Sequence, residues 1–272
     1  MSKVVILGAG PIASELASSL TRNGVEEIVL FDGDVPAVAA GKALDVRQSC
    51  PILGSDSSLI GSADPADVLG ADVLAVADQG KNGQEWTGEP GLAQIARLLP
   101  RITGPVVFAG TSQAWLLERC TFELGRRSTS TLGSSPIALE AAVAAMAALE
   151  ADTAVSDVRM TIAGRPPKDA AILWDASTIG GEPATARLDS AALRRLEARL
   201  PALWPPGAFA LASAATRVVL TILRHTDRTL TCYAVAPGHD RAAARPVRFR
   251  HGEGHPLVLA GATGARAALG LG

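Results

Sequence analysis

Short, unbroken apolar runs alternate with helical patterns through the first half of the chain. Residues 4–7 are all apolar, the turn Gly8-Ala9-Gly10-Pro11-Ile12-Ala13 follows, a helical pattern runs to Asn23-Gly24, and a second apolar run, 28–31, closes on Asp32. Continuous runs of this kind suit parallel strands covered on both faces. Residues 38–48 then read as a helix, 58–61 as a third strand and 71–77 (ADVLAVA) as a fourth. A polar, glycine-rich stretch without a period, 78–91, reads as a long loop at the carboxyl end of that strand, where open α/β sheets bind ligands. Residues 92–99 (helix), 105–109 (strand), 112–124 (helix) and 128–132 (strand) continue the alternation.

The pattern changes near residue 133. Residues 136–150 form a long Ala-rich helix, 153–163 and 171–179 read as antiparallel strands, 190–200 as an amphipathic helix and 208–223 as a largely buried one. Residues 229–235, 246–250 and 256–259 read as closing strands. The fold expected is α/β: an N-terminal doubly wound parallel sheet over residues 1–133, followed by an α+β lobe over 134–272.

Composition narrows the function classes. The 272 residues are 48% hydrophobic and 19% charged, with a net charge of −2, so no basic surface for nucleic acid is expected. No run approaches the ~20 apolar residues that span a bilayer, and the chain enters its first strand without a signal-peptide pattern, so a cytoplasmic protein without a membrane partner is expected. Cys50, Cys120 and Cys232 are widely spaced and lack a CxxC, which favours neither a disulfide framework nor a metal site.

The first strand–turn–helix–strand unit carries chemistry. Gly8 permits a tight turn, Gly10 lets backbone approach a pyrophosphate, and small Ala13 lets helix pack on strand. The helix start offers free N–H groups and a positive dipole end, and Pro11 falls where a missing N–H costs least. Asp32 stands 22 residues after Gly10, where an acid accepts from ribose hydroxyls, and with Asp34 it disfavours a 2′-phosphate. These residues read as a Rossmann site for NAD. Its cofactor-binding set is Gly8, Gly10, Pro11, Ile12 and Asp32, completed by Ala77, Gly80 and Thr111 at the ends of the fourth and fifth strands. The alternative is that the same turn is kept only as scaffold.

Seven segments, in order, carry a resemblance: Gly8-Ala9-Gly10, Val29-Leu30-Phe31-Asp32, Gly41-Lys42-Ala43-Leu44-Asp45, Pro51-Ile52-Leu53-Gly54, Gly70-Ala71-Asp72-Val73, Ser177-Thr178-Ile179 and Ala212-Ser213-Ala214-Ala215-Thr216. Together they resemble the lactate/malate dehydrogenase family along nearly the whole chain. The resemblance implies a Rossmann lobe and a substrate lobe, NAD, reversible hydride transfer to a small 2-oxo acid, and a homo-oligomer. It also implies a His oriented by an Asp, an Arg that clamps the substrate carboxylate, a second Arg on a mobile loop, and an Asn after the fifth strand.

None of these stands in the expected place. The family's Gly-Gly-His-Gly-Asp segment falls on Ala163-Gly164-Arg165-Pro166-Pro167-Lys168-Asp169, the Asp and clamp Arg fall near Leu139 and Val143, and the Asn falls on Gly110-Thr111-Ser112. The mobile-loop arginines fall near Lys81 and Gly88-Glu89, and no His precedes His225. The catalytic set is therefore unassigned, with Lys81, Arg165 and Lys168 as candidates. Each has a plainer reading: Lys81 as a solvated loop cation, Arg165 and Lys168 as a solvated Pro-Pro turn. Trp86 either covers a bound ring or latches onto the neighbouring helix. Arg241, Arg245, Arg248 and Arg250, with His251 and His255, either bind an acidic ligand, supply a His as proton carrier from a new direction, or form the wet face of an edge hairpin, and His225 ends the helix before it.

Three functions remain open. The first is a divergent NAD-dependent oxidoreductase acting on a small hydroxy or oxo compound. The second is a non-catalytic NAD(H)-binding sensor or partner subunit. The third is a family fold whose nucleotide site is unused.

Overall fold

The computed structural model describes residues 2–257. In chain order its elements are β1 (Lys3–Leu7), α1 (Pro11–Arg22), β2 (Glu27–Phe31), α2 (Pro36–Leu53), β3 (Ser58–Ser62), β4 (Val73–Val76), α3 (Gly88–Leu98), β5 (Val106–Phe108), α4 (Ala114–Phe122) and β6 (Thr131–Gly133). There follow α5 (Ser135–Glu150), β7 (Val158–Arg159), β8 (Ile162–Arg165), β9 (Asp169–Ile172), β10 (Thr178–Ile179), β11 (Glu182–Pro183), α6 (Ala184–Arg187), α7 (Ser190–Arg199), α8 (Ala208–Leu223), β12 (Arg228–Val235), β13 (Ala242–Arg250) and β14 (Glu253–Pro256).

The apolar runs become parallel neighbours in the order β3-β2-β1-β4-β5-β6, and the same sheet continues antiparallel through β12, β13, β8 and β9. This is the expected α/β fold with its doubly wound parallel sheet. Alternate strand residues face opposite layers. Val4, Ile6, Ile28 and Leu30 pack with α1, α2 and α8, whereas Val5, Leu7, Val29 and Phe31 pack with α3 and α4. Helix α1 buries Ile12, Ala13, Leu16, Ala17 and Leu20 at three- and four-residue spacing. A third cluster joins Leu139 and Val143 of α5 to Ile162 of β8 and Leu196 of α7.

The register aligns Leu7 with Phe31 and Val76, and Val76 with Phe108. The residues after these strand ends therefore share one edge. The strand order reverses between β1 and β4, so a crevice opens at that edge, above the start of α1.

Several expected elements differ. The strand at 128–132 starts only at Thr131, because Ser128–Ser130 form a 3-10 turn in which the Ser130 and Thr131 hydroxyls donate to the Arg127 carbonyl. The strands at 153–163 and 171–179 are each broken in two. There the Ser177 hydroxyl accepts from the Thr161 N–H and donates to the Leu173 carbonyl in place of ladder bonds. The loop at 78–91 is shorter than expected, since α3 begins at Gly88. β13 is interior, paired with β12, β8 and β14, so Arg245 is buried rather than on the wet face of an edge hairpin. β14 begins before the strand expected at 256–259, whose residues 258 and 259 lie outside the described residues, as does the rest of the lobe to 272. Among the described residues no single helix is long and apolar enough to cross a membrane.

Candidate functional site

Gly8 takes φ +121° at the end of β1, as a tight turn requires, and its N–H donates to the Phe31 carbonyl. The chain enters α1 at Pro11, which leaves the Ile12 and Ala13 N–H groups pointing out of the first turn. Both are taken. The Ile12 N–H donates to Oδ2 of Asp78 and the Ala13 N–H to Oδ1, each at 2.9 Å. A Cβ on Gly10 would lie 2.5 Å from the Asp78 carboxyl carbon, so the approach that glycine permits is used by this side chain. Asp78 is 1% exposed, and burial pushes its carboxyl up to about 6 against the pull of the two N–H groups.

Asp32, at the tip of β2, is fully buried. Its Oδ1 accepts from the Asp34 and Val35 N–H groups at 3.1 and 3.3 Å, and its Oδ2 accepts from the Gly80 N–H at 2.8 Å. The third anchor is Glu85: Oε1 accepts from the Thr111 N–H (2.7 Å) and hydroxyl (2.9 Å), and Oε2 from the Ser112 N–H (2.7 Å).

Residues 78–86 are thus a small hairpin laid across the crevice. Asp78 bridges Glu85, the Gln79 N–H donates to the Gln84 carbonyl, and the Trp86 N–H donates to the Ala77 carbonyl. The Gln113 amide clamps the base, donating to the Ala77 and Trp86 carbonyls and accepting from the Gly110 N–H. Trp86 is a buried latch in the core cluster that holds Leu92, Ile95 and Leu116.

The structure therefore brings Gly8, Gly10, Pro11, Ile12, Asp32, Ala77, Gly80 and Thr111 to one edge, several of them bonded to one another or to the hairpin. The catalytic candidates do not join them. Lys81 is exposed at the hairpin tip, Arg165 pairs with Glu118 of α4 at 3.3 Å, and Lys168 is exposed in the turn between β8 and β9. Asp78, Glu85 and Gln113 were missed; the one signal was an acid directly after the apolar fourth strand. A cavity of about 460 Å³ lies beside the hairpin, walled by Pro11, Ile12, Asp78, Glu85, Thr111 and Leu211 among others, and among the described residues no Arg, Lys or His lines it. A second cavity, of about 300 Å³, holds Glu140, which accepts from the Ile162 N–H and the Thr231 hydroxyl; burial pushes its carboxyl up to about 7.

The fold is shared with known dehydrogenases. The minor L-lactate dehydrogenase from Enterococcus mundtii superposes with a TM-score of 0.87 at 20% identity, over 99% of this chain and 94% of that one. Malate dehydrogenase from Plasmodium falciparum, in complex with NADH, superposes with a TM-score of 0.84 at 17% identity, over 95% and 90%. No family profile matches. In sequence, the chain is 30% identical over 220 residues to malate dehydrogenase from Sorangium cellulosum, covering 72% of this chain and 66% of that protein. The chain belongs to the lactate/malate dehydrogenase family. It is also 36% identical over 78 residues to malate dehydrogenase from Staphylococcus carnosus, covering 28% of this chain and 24% of that protein. The chain thus spans just under two thirds of the first of these curated relatives and about a quarter of the second.

The family implies NAD, and the crevice does not fit it as the hairpin lies. The N–H pair that a pyrophosphate needs is held by Asp78, and the acid that a ribose needs is spent on the chain's own backbone.

Proposed function

We propose that this dehydrogenase-fold protein does not perform hydride transfer on a 2-oxo acid and acts as a non-catalytic sensor or partner subunit that engages NAD(H) in preference to NADP(H). One observation carries this reading: among the described residues, the cavity beside the glycine turn presents two carboxylates and no basic side chain. Among those residues a 2-oxo acid finds no cationic fork for its carboxylate, and the acid that burial raises there, Asp78, is engaged by the Ile12 and Ala13 N–H groups. The side chains at the family's catalytic positions point the same way, since Leu139 and Val143 are fully buried in an apolar cluster and Arg165 is held by Glu118.

In this reading residues 1–133 are the nucleotide lobe and 134–272 an interaction lobe, and the protein is a cytoplasmic homo-oligomer. The buried free thiols of Cys50, Cys120 and Cys232 support a reducing compartment, and outward apolar residues on α2 support self-association. The test is a fluorescence titration with NADH, with NADPH as control, followed by a turnover screen against small 2-oxo acids. Saturable NADH binding without turnover is expected; substrate-dependent NADH consumption would overturn the reading.

The second reading, a divergent NAD-dependent oxidoreductase, is favoured by the intact turn at Gly8 and Gly10 and by Asp32 at the tip of β2. Its only loop cation is Lys81. It requires turnover that disappears in Gly10→Val and falls in Lys81→Ala.

A further inference from the structure

We propose that residues 78–85 are an internal occupant of the dinucleotide crevice, their Asp78 and Glu85 carboxylates standing where a nucleotide would bind, so that the docked hairpin and a bound nucleotide exclude each other. This rests on the reading that the crevice is able to take NAD(H), and it adds the element that gates entry.

The two carboxylates work from opposite strands at the base of one hairpin. Asp78 caps the first turn of α1, and Glu85 collects the backbone and hydroxyl of Thr111 and the backbone of Ser112 beyond β5. Between them the Gly80 N–H closes on Asp32. These contacts cover the start of α1, the tip of β2 and the end of β5, which are the three points that a dinucleotide lying along the crevice must touch. The fit is close at both ends: a Cβ on Gly10 would lie 2.5 Å from the Asp78 carboxyl carbon, and one on Gly110 would lie 2.4 Å from that of Glu85. Two anions cannot share one N–H pair at hydrogen-bond distance, so a pyrophosphate enters only as Asp78 leaves.

The segment is anchored at its base and exposed at its tip. Ala77 and Trp86 are buried and joined by the Trp86 N–H to the Ala77 carbonyl, so the base is fixed in the core. Lys81, Asn82, Gly83 and Gln84 at the tip are exposed. The segment is held to the crevice by the Gly10 N–H bond to the Asp78 carbonyl, the Gly80 N–H bond to Asp32 and the Asp78 and Glu85 carboxylate bonds, and the carboxylate bonds are what a competing anion replaces.

The experiment compares the full chain with Asp78→Ala, Glu85→Gln and Asp78→Ala/Gly10→Val. NADH affinity is read by fluorescence, and amide hydrogen exchange is followed at Ile12, Ala13, Gly80, Thr111 and Ser112. Tenfold or tighter NADH binding is expected in Asp78→Ala, a smaller gain in Glu85→Gln, and loss of the gain when Gly10→Val is added. In the unaltered chain, saturating NADH should speed exchange at Thr111 and Ser112 as Glu85 lets go. An NADH affinity unchanged within twofold in both folded single variants overturns the proposal. So does absence of binding in all of them, or a saturated native chain whose Thr111 and Ser112 amides stay as protected as before. If Asp78→Ala fails to fold, Glu85→Gln and the exchange measurement still decide. Turnover of a 2-oxo acid would refute the non-catalytic reading while leaving this competition intact.

Discussion

Glu140 shows what one acid packed between α5, β8 and β12 does to this molecule. It sits on α5 with its Oε1 accepting from the Ile162 N–H and the Thr231 hydroxyl, and burial moves its carboxyl from the ordinary 4.5 up to about 7. The folded chain therefore binds a proton that the unfolded chain has released between those values, so this group's contribution to stability is fully present below about 4.5 and is lost as pH rises through 7. The difference in proton affinity corresponds to about 3 kcal/mol at most. Glu140→Gln keeps an acceptor and removes the titration. Urea melts at pH 5 and pH 8 should show the native chain losing more stability than the variant across that interval; equal losses would show that Glu140 does not titrate there. Asp32 offers a second check at this scale. Its carboxylate accepts from three backbone N–H groups, so Asp32→Ala orphans them and should cost roughly 1–3 kcal/mol in the absence of any nucleotide. An unchanged melt would mean that the carboxylate serves only a ligand.

The elements that the sequence made legible are those whose residues answer to near neighbours. The βαβ unit was readable because two apolar runs, a glycine turn and an amphipathic period each declare themselves locally, and α8 spans 208–223 as expected. The hairpin at 78–86 was not readable. Its bonds run from Asp78 to Ile12 and Ala13, and from Glu85 to Thr111 and Ser112, and no periodicity announces a carboxylate that caps a helix 65 residues away. The same limit explains Arg245, read as a wet-face residue because nothing local showed that β13 is interior. Trp86 left two readings open in the sequence, and the structure puts its ring in the core. Trp86→Ala should then cost about 3–5 kcal/mol, the usual range for removing a buried Trp, whether or not NADH is present. A loss below about 1 kcal/mol would fit a ring that only covers the cleft.

At the scale of the whole molecule, α2 exposes more large apolar side chains than any other helix among the described residues. Its inner face buries Ala39, Ala43, Val46 and Cys50, yet Val38, Leu44, Ile52 and Leu53 also face out, Ile52 at 87% exposure. An ordinary surface helix is apolar on one stripe and polar elsewhere, so apolar residues on both sides call for a second covering partner. A second copy of the same chain related by a two-fold axis supplies one without any further specificity, since each α2 covers the other. Sedimentation velocity at about 10 μM should give at least twice the 27.8 kDa of the chain. Leu44→Asp/Ile52→Asp should return it to a monomer with unchanged circular dichroism, because neither residue belongs to the core clusters. A native monomer, or a double variant that still associates, would remove α2 from the interface. Because α2 and the hairpin approach the same Asp32–Val35 turn, an NADH affinity that changes on dissociation would tie assembly to the crevice.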